Sequence, residues 1–184
     1  IQKFSKDGKF LSCWGSSGDG NGQFNRPWGI TIDTDGDIYV ADWGNNRVQK
    51  FSPDGTYLMS FGTDPQGGGD LDHPCDVAVD SDGDVYVTDW GNRRVQIFEA
   101  DGEPITALYG DAIEPSKAAN YAMNRNADTT RKVNNMSEGM LPKVSRFERP
   151  VAIITYPGNR IIVSDSVGRL LVYDKDANYE EPNL

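Results

Sequence analysis

The stretch VADWGNNRVQKFSPDG, Val40 to Gly55, returns with few changes as VTDWGNRRVQIFEADG, Val87 to Gly102. Recurrence at a fixed spacing marks a repeat architecture, and the spacing extends in both directions. Pro27 recurs at Pro74, Asp42 at Asp89 and Arg47 at Arg94, each 47 residues on. At the start of the chain, IQKFSKDG from Ile1 aligns with VQKFSPDG from Val48 in the same register. A third copy opens at Pro150, in RPVAIITYPGNRIIVSDSVGRLLVYDKD. It lies 76 residues after Pro74, so about 29 residues are inserted before it, too few for another copy.

Within a copy, turn signals separate short apolar runs: GITID, then TDGD, IYVAD, WGNN, RVQKF, SPDG and TYLMSFG. Asp-Gly between β-branched and aromatic residues is a hairpin signal, so each copy reads as four short antiparallel strands, A to D. Ile30, Ile32, Ile38, Tyr39, Val40, Val48 and Phe51 make such a sheet apolar on both faces. A two-faced apolar sheet must be covered on both sides. Similar sheets stacked around an axis cover one another, which predicts an all-β fold, the β-propeller.

At these positions the chain resembles the NHL-repeat family of propellers. The resemblance rests on Pro27-x-Gly29-Ile30, Asp33, Gly36, Ile38-Tyr39-Val40, Asp42, Asn45, Arg47-Val48, Phe51, Gly55 and Phe61-Gly62. The second copy matches at Pro74, Val77, Asp80, Gly83, Val85-Tyr86-Val87, Asp89, Asn92, Arg94-Val95, Phe98 and Gly102. The third keeps Asp165 and Arg169 but lacks the Asn, and its B–C turn is one residue shorter. The expected organisation is one propeller domain over 1–184: a part-blade at 1–24, blades at 25–66 and 67–110, an insert at 111–146, a blade at 147–174 and a tail at 175–184. That predicts thirteen strands, about three blades plus part-blades. The resembling family commonly closes with six, so a piece of a longer propeller is expected.

The bulk numbers narrow the function. The chain has 184 residues, a net charge of −10 and a pI near 4.5. An acidic surface repels phosphate backbones and anionic lipid heads, so nucleic acid is not expected as a partner. No apolar run approaches the roughly 20 residues of a membrane span. Cys13 and Cys75 fall at different repeat positions and are not paired here. They leave the compartment unassigned, with an extracellular or periplasmic location slightly favoured.

Asp42, Asn45 and Arg47, with Asp89, Asn92 and Arg94 and then Asp165 and Arg169, recur because the repeat needs them. Their expected roles are to bond the B–C turn and to reach a carboxylate of the next blade, with Gly44 supplying a positive φ. In a propeller the B–C turns and D–A loops share one rim, which would carry Trp43, Trp90, Asn46, Arg93 and, nearby, Trp28. Exposed aromatic rings flanked by polar groups make contact surfaces for proteins or sugar rings. The leading expectation is therefore a scaffold that binds a protein or glycan. Homo-oligomers through open blade faces are a further expectation.

Asp33-Thr-Asp35-Gly-Asp37 and Asp80-Ser-Asp82-Gly-Asp84 look like the start of a calcium loop. The twelfth position holds Gly44 and Gly91, which cannot serve as the bidentate ligand. Asp-Gly hairpins explain both runs. The family resemblance also implies an enzymatic alternative, a hydrolase or lyase with a divalent cation at the channel mouth. A histidine-bound zinc like that of the related amidating lyase cannot be built from His73, the one histidine. A lactonase-like cation site would use Asn25, Asp72 and Glu148, two residues before each repeat proline. No catalytic residue and no cofactor is assigned. Tripartite-motif relatives bind RNA through a basic face, whereas here the copies are acidic and only the insert is basic. That insert, Asp111 to Arg146, has six Lys and Arg against four Asp and Glu, and three of the four methionines. Pro115 followed by SKAANYAMNR predicts a short helix there, on the rim with the Trp turns.

Overall fold

The computed structural model describes residues 1–63, 68–110, 146–156 and 160–175. The insert expected on the rim, with its helix, lies outside the described residues except for Arg146.

The thirteen expected strands are present. β1 (Gln2–Phe4) and β2 (Phe10–Cys13) form the part-blade. After a two-residue parallel pair in the following loop, β3 (Ser16–Ser17) with β4 (Gln23–Phe24), comes the first complete blade. It runs β5 (Pro27–Ile32), β6 (Ile38–Asp42), β7 (Arg47–Phe51) and β8 (Tyr57–Phe61), paired in sequence order. β9 (Pro74–Val79), β10 (Val85–Asp89), β11 (Arg94–Phe98) and β12 (Pro104–Leu108) repeat the pattern, and β13 (Pro150–Tyr156), β14 (Arg160–Asp165) and β15 (Arg169–Asp174) form a three-stranded sheet. All pairings within these blades are antiparallel. The β3–β4 pair was not anticipated, because a two-residue ladder inside a Gly-rich loop leaves no periodicity to read.

The calcium-like runs are the A–B hairpins. Asp33 Oδ1 accepts the backbone N–H groups of Asp35 and Asp37 at 3.0 and 2.8 Å. Asp80 Oδ1 does the same for Asp82 and Asp84 at 2.9 and 3.1 Å. Each first Asp thus folds its own turn, as Asx turns do.

The core lies between blades. Tyr39, Ala41, Val48 and Phe61 of the 25–66 blade pack against Leu71, Val77, Val85, Val87 and Phe98 of the 67–110 blade. Ala78, Tyr86, Val95 and Ile97 on the opposite face of the latter meet Phe147, Ile153, Ile161 and Val163. A third cluster joins Ile1 and Trp14 of the part-blade to Phe24, Ile38, Val40 and Phe51. Alternating residues of one strand therefore seal two different interfaces, which is why the strands read apolar on both sides. At about 1.5–3 kcal/mol for each large side chain fully buried, these seams dominate stability.

The innermost strands approach closely. A Cβ on Gly29 would lie 2.5 Å from the Cα of Asp76, so only glycine fits. Asp76 in turn accepts the Ile153 N–H at 3.0 Å, joining β9 to β13.

Candidate interaction rim

The repeated aspartate builds the rim. Asp42 is fully buried, and its carboxylate accepts the Asn25 N–H at 2.8 Å, Asn45 Nδ2 at 2.8 Å, Arg47 Nε at 3.0 Å and Gln49 Nε2 at 3.1 Å. Asp89 accepts the Asp72 N–H, Asn92 Nδ2 and Arg94 Nε, all at 2.8 Å. Asp165 accepts the N–H groups of Glu148 and Arg149 at 2.9 Å, and Arg169. Each carboxylate ties the D–A loop before a blade to the B–C turn inside it. Burial pushes the Asp89 carboxyl above its usual range despite these partners. Burial also acts on Asp165, but the Arg149 N–H, the Arg169 side chain and the Glu148 N–H together hold it below that range.

Two expectations are corrected here. Arg47 does not reach the next blade; its second nitrogen, Nη2, donates to the carbonyls of Gly20 and Gln23, in the loop entering its own blade, at 2.8 and 2.9 Å. The positive φ of the turn belongs to Asn46 (+55°) and Arg93 (+57°), not to Gly44. Gly44 is needed for contact instead, since a Cβ would sit 2.6 Å from the Asn25 amide carbon. In the shorter third turn Gly168 takes the left-handed position, at +78°.

This framework presents a run of rings and cations. Arg26 lies over Trp43 at 5.6 Å, Trp43 meets His73 edge-on with centroids 4.1 Å apart, His73 stands 6.3 Å from Trp90, and Arg149 covers Trp90 at 3.7 Å. Trp28 flanks Trp43 at 6.0 Å and is 67% exposed, while Trp43 and Trp90 are half-buried. The run crosses three blades because the residue before each repeat proline, His73 or Arg149, lands on the tryptophan of the preceding blade. Asn46 accepts the His73 N–H at 3.0 Å, and Arg93 lies 3.9 Å from Glu148, so both also link blades.

The sequence brought Trp28, Trp43, Trp90, Asn46 and Arg93 to this rim but missed Arg26, His73 and Arg149. Their signal was positional: all three directly precede the repeat proline. Asn25, Asp72 and Glu148 are on the rim too, engaged separately. Asn25 Nδ2 donates to the Gly44 carbonyl at 3.3 Å, Asp72 bonds the His73 ring, and Glu148 faces Arg93. Among the described residues no cluster of three His, Cys, Asp or Glu side chains is arranged to hold a metal ion. At the opposite end of the blades, ammonium groups sit against the A–B hairpins. Lys50 lies 3.1 Å from Asp37, and Lys175 lies 2.8–2.9 Å from Asp80, Asp82 and Asp84.

A family model for the NHL repeat matches residues 24–51 and 71–98. The E3 ubiquitin-protein ligase TRIM71 of Rattus norvegicus is 54% identical over 35 residues, 19% of this chain and 4% of that protein. A solved protein of unknown function from Bacteroides thetaiotaomicron aligns with 93% of this chain and 40% of its own, at 16% identity and a TM-score of 0.60. Another from Bacteroides caccae aligns over 94% and 54%, at 13% identity and 0.56. These two share the fold. The chain spans 4% of the curated relative and about half of the solved chains.

Proposed function

Because this chain carries NHL repeats stacked as propeller blades, we propose that it is a binding scaffold whose rim of B–C turns and D–A loops holds a segment of another protein. The observation that carries this reading is the run Arg26–Trp43–His73–Trp90–Arg149, flanked by exposed Trp28. Tryptophan and arginine are the side chains that most often anchor interfaces. Arg26 and Arg149 face rings, and among the described residues neither has a carboxylate partner within 4 Å. A cationic, aromatic rim on a chain of net charge −10 favours an acidic segment containing apolar side chains.

The test is an array of acidic, neutral and basic peptides probed with the wild-type chain and with Trp28→Ala and Arg26→Ala. The expected result is preference for acidic peptides, weakened about 30-fold by Trp28→Ala, which corresponds to a loss of about 2 kcal/mol at an anchor residue. Arg26→Ala should in addition flatten the salt dependence. Binding that neither substitution alters, or preference for a glycan over every peptide, would overturn the assignment of a protein ligand.

A further inference from the structure

Among the described residues, every non-glycine residue with a left-handed φ stands on the rim: Arg26 at +56°, Asn46 at +55°, His73 at +57° and Arg93 at +57°. Side chains rarely tolerate that backbone, and it persists where surrounding contacts hold it, as they do at ligand clamps. Here His73 donates its N–H to Asn46 Oδ1 at 3.0 Å, its ring bonds the Asp72 carboxylate, and Arg93 lies 3.9 Å from Glu148. The rim is thus shaped before any ligand arrives.

Those bonds divide the rim's charges unequally. Asp72 and Glu148 are engaged by His73 and Arg93, whereas Arg26 and Arg149 each lie over an indole. Contact with a ring leaves a guanidinium's fork of N–H groups free to match both oxygens of a carboxylate. The two arginines also close a symmetric run: Trp43 and Trp90 stand one repeat apart, His73 lies between them, and one guanidinium caps each end. The steps along it are 5.6, 4.1, 6.3 and 3.7 Å, so the guanidinium carbons are no more than about 20 Å apart. An extended chain rises about 3.3 Å per residue, and residues at even separations share a face. About six residues therefore cover the run.

Resting on the binding role of the rim given above, we propose that this surface recognises a pair of acidic side chains on one extended protein segment. The two acids are an even number of residues apart and at most six. One is held by Arg26 and the other by Arg149, with an apolar side chain between them against Trp43, His73 and Trp90. Spacing then sets specificity. A single acid engages one arginine only, acids at odd separations face opposite sides of the segment, and acids further apart overrun the run of rings. Two contacts on one segment reinforce each other, because the first raises the effective concentration of the second.

Fluorescence anisotropy with labelled synthetic peptides tests it. Each peptide carries one leucine and either one glutamate or two, the pair set at separations from one residue to ten. The wild-type chain should bind best a pair at an even separation of six or fewer, about tenfold tighter than the single-glutamate peptide. Arg26→Ala and Arg149→Ala should each reduce that peptide to the single-glutamate affinity. The single-glutamate peptide itself should weaken only about twofold, since the other arginine still takes it. Arg149→Lys keeps the charge without the fork and should lose most of the gain. Unchanged circular dichroism checks that the variants fold. A pair that binds no better than one glutamate, a preference for odd or longer separations, or an arginine substitution that weakens both peptides equally would overturn the proposal while leaving the rim a binding surface. Failure of every peptide to bind would overturn the rim's role and the proposal with it.

Discussion

At the residue scale the repeated aspartate decides most. Asp42 is a fully buried carboxylate surrounded by four donors. Asp42→Ala would leave Arg47 without its carboxylate partner in a nearly buried site, and breaking a buried pair from one side costs about 3–5 kcal/mol. Urea unfolding should show that loss. Gly44→Ala, which drives a Cβ into Asn25, should cost about 1–3 kcal/mol, as overpacking does. The sequence marked Asp42, Asn45 and Arg47 as repeat residues, but not the direction in which the arginine reaches. Spacing shows that a residue recurs; it does not show whether its partner lies in its own blade or in the next. Nor did it reveal Gln49, whose amide joins the same carboxylate, because a glutamine in a strand carries no distinctive pattern. The cysteines give a simple probe. Cys13 is exposed and Cys75 buried, and burial together with Asp76 and Asp89 pushes the Cys75 thiol up to about 11. A thiol reagent at neutral pH should modify Cys13 in the native protein and Cys75 only on unfolding.

At the scale of elements, one repeat position can be compared in two environments. Phe98 is sealed between blades while Phe4 is 52% exposed. Phe98→Ala should cost about 3–5 kcal/mol. Phe4→Ala should cost far less, within about 1 kcal/mol, by urea unfolding. The strands were legible because Asp-Gly turns alternate with two-faced apolar runs. What was not legible is how differently one repeat position is buried, since Phe4 and Phe98 sit in nearly the same local sequence. Cations show the same limit. Lys50 serves its own A–B hairpin, but the equivalent position in the next copy is Ile97, buried in the core, and Lys175 reaches back from the end of β15 to serve Asp80 instead. Burial raises the Asp80 carboxyl, yet Lys175 and the Tyr86 hydroxyl hold it below the usual 3.8. A depressed folded-state value contributes stability above the unfolded value and loses it as pH falls through the folded one. Asp165 acts in the same direction. The 147–174 blade should therefore loosen from about pH 4 downward, read as faster amide exchange in β13 to β15. Lys175→Met should destabilise the chain at pH 7 and differ less from wild type near pH 3.

For the whole molecule, the chain is a row of sheets, each apolar on both sides and each completing its neighbour's core. The four-stranded antiparallel sheets and their strand count followed from the 47-residue recurrence. The ladder of rings did not, because it is assembled between blades from residues that the repeat leaves variable. The stacking itself is the claim on which the rim and the buried aspartates both rest. Phe61 on β8 and Phe98 on β11 stand with ring centroids 4.9 Å apart across one seam. A nuclear Overhauser spectrum of the folded chain should show cross-peaks between those two rings, and between the Ile153 amide and the Asp76 β-protons. Strong Hα–Hα cross-peaks between β8 and β9, with no contact between the rings, would mean that the copies pair edge to edge in one continuous sheet and would contradict the account.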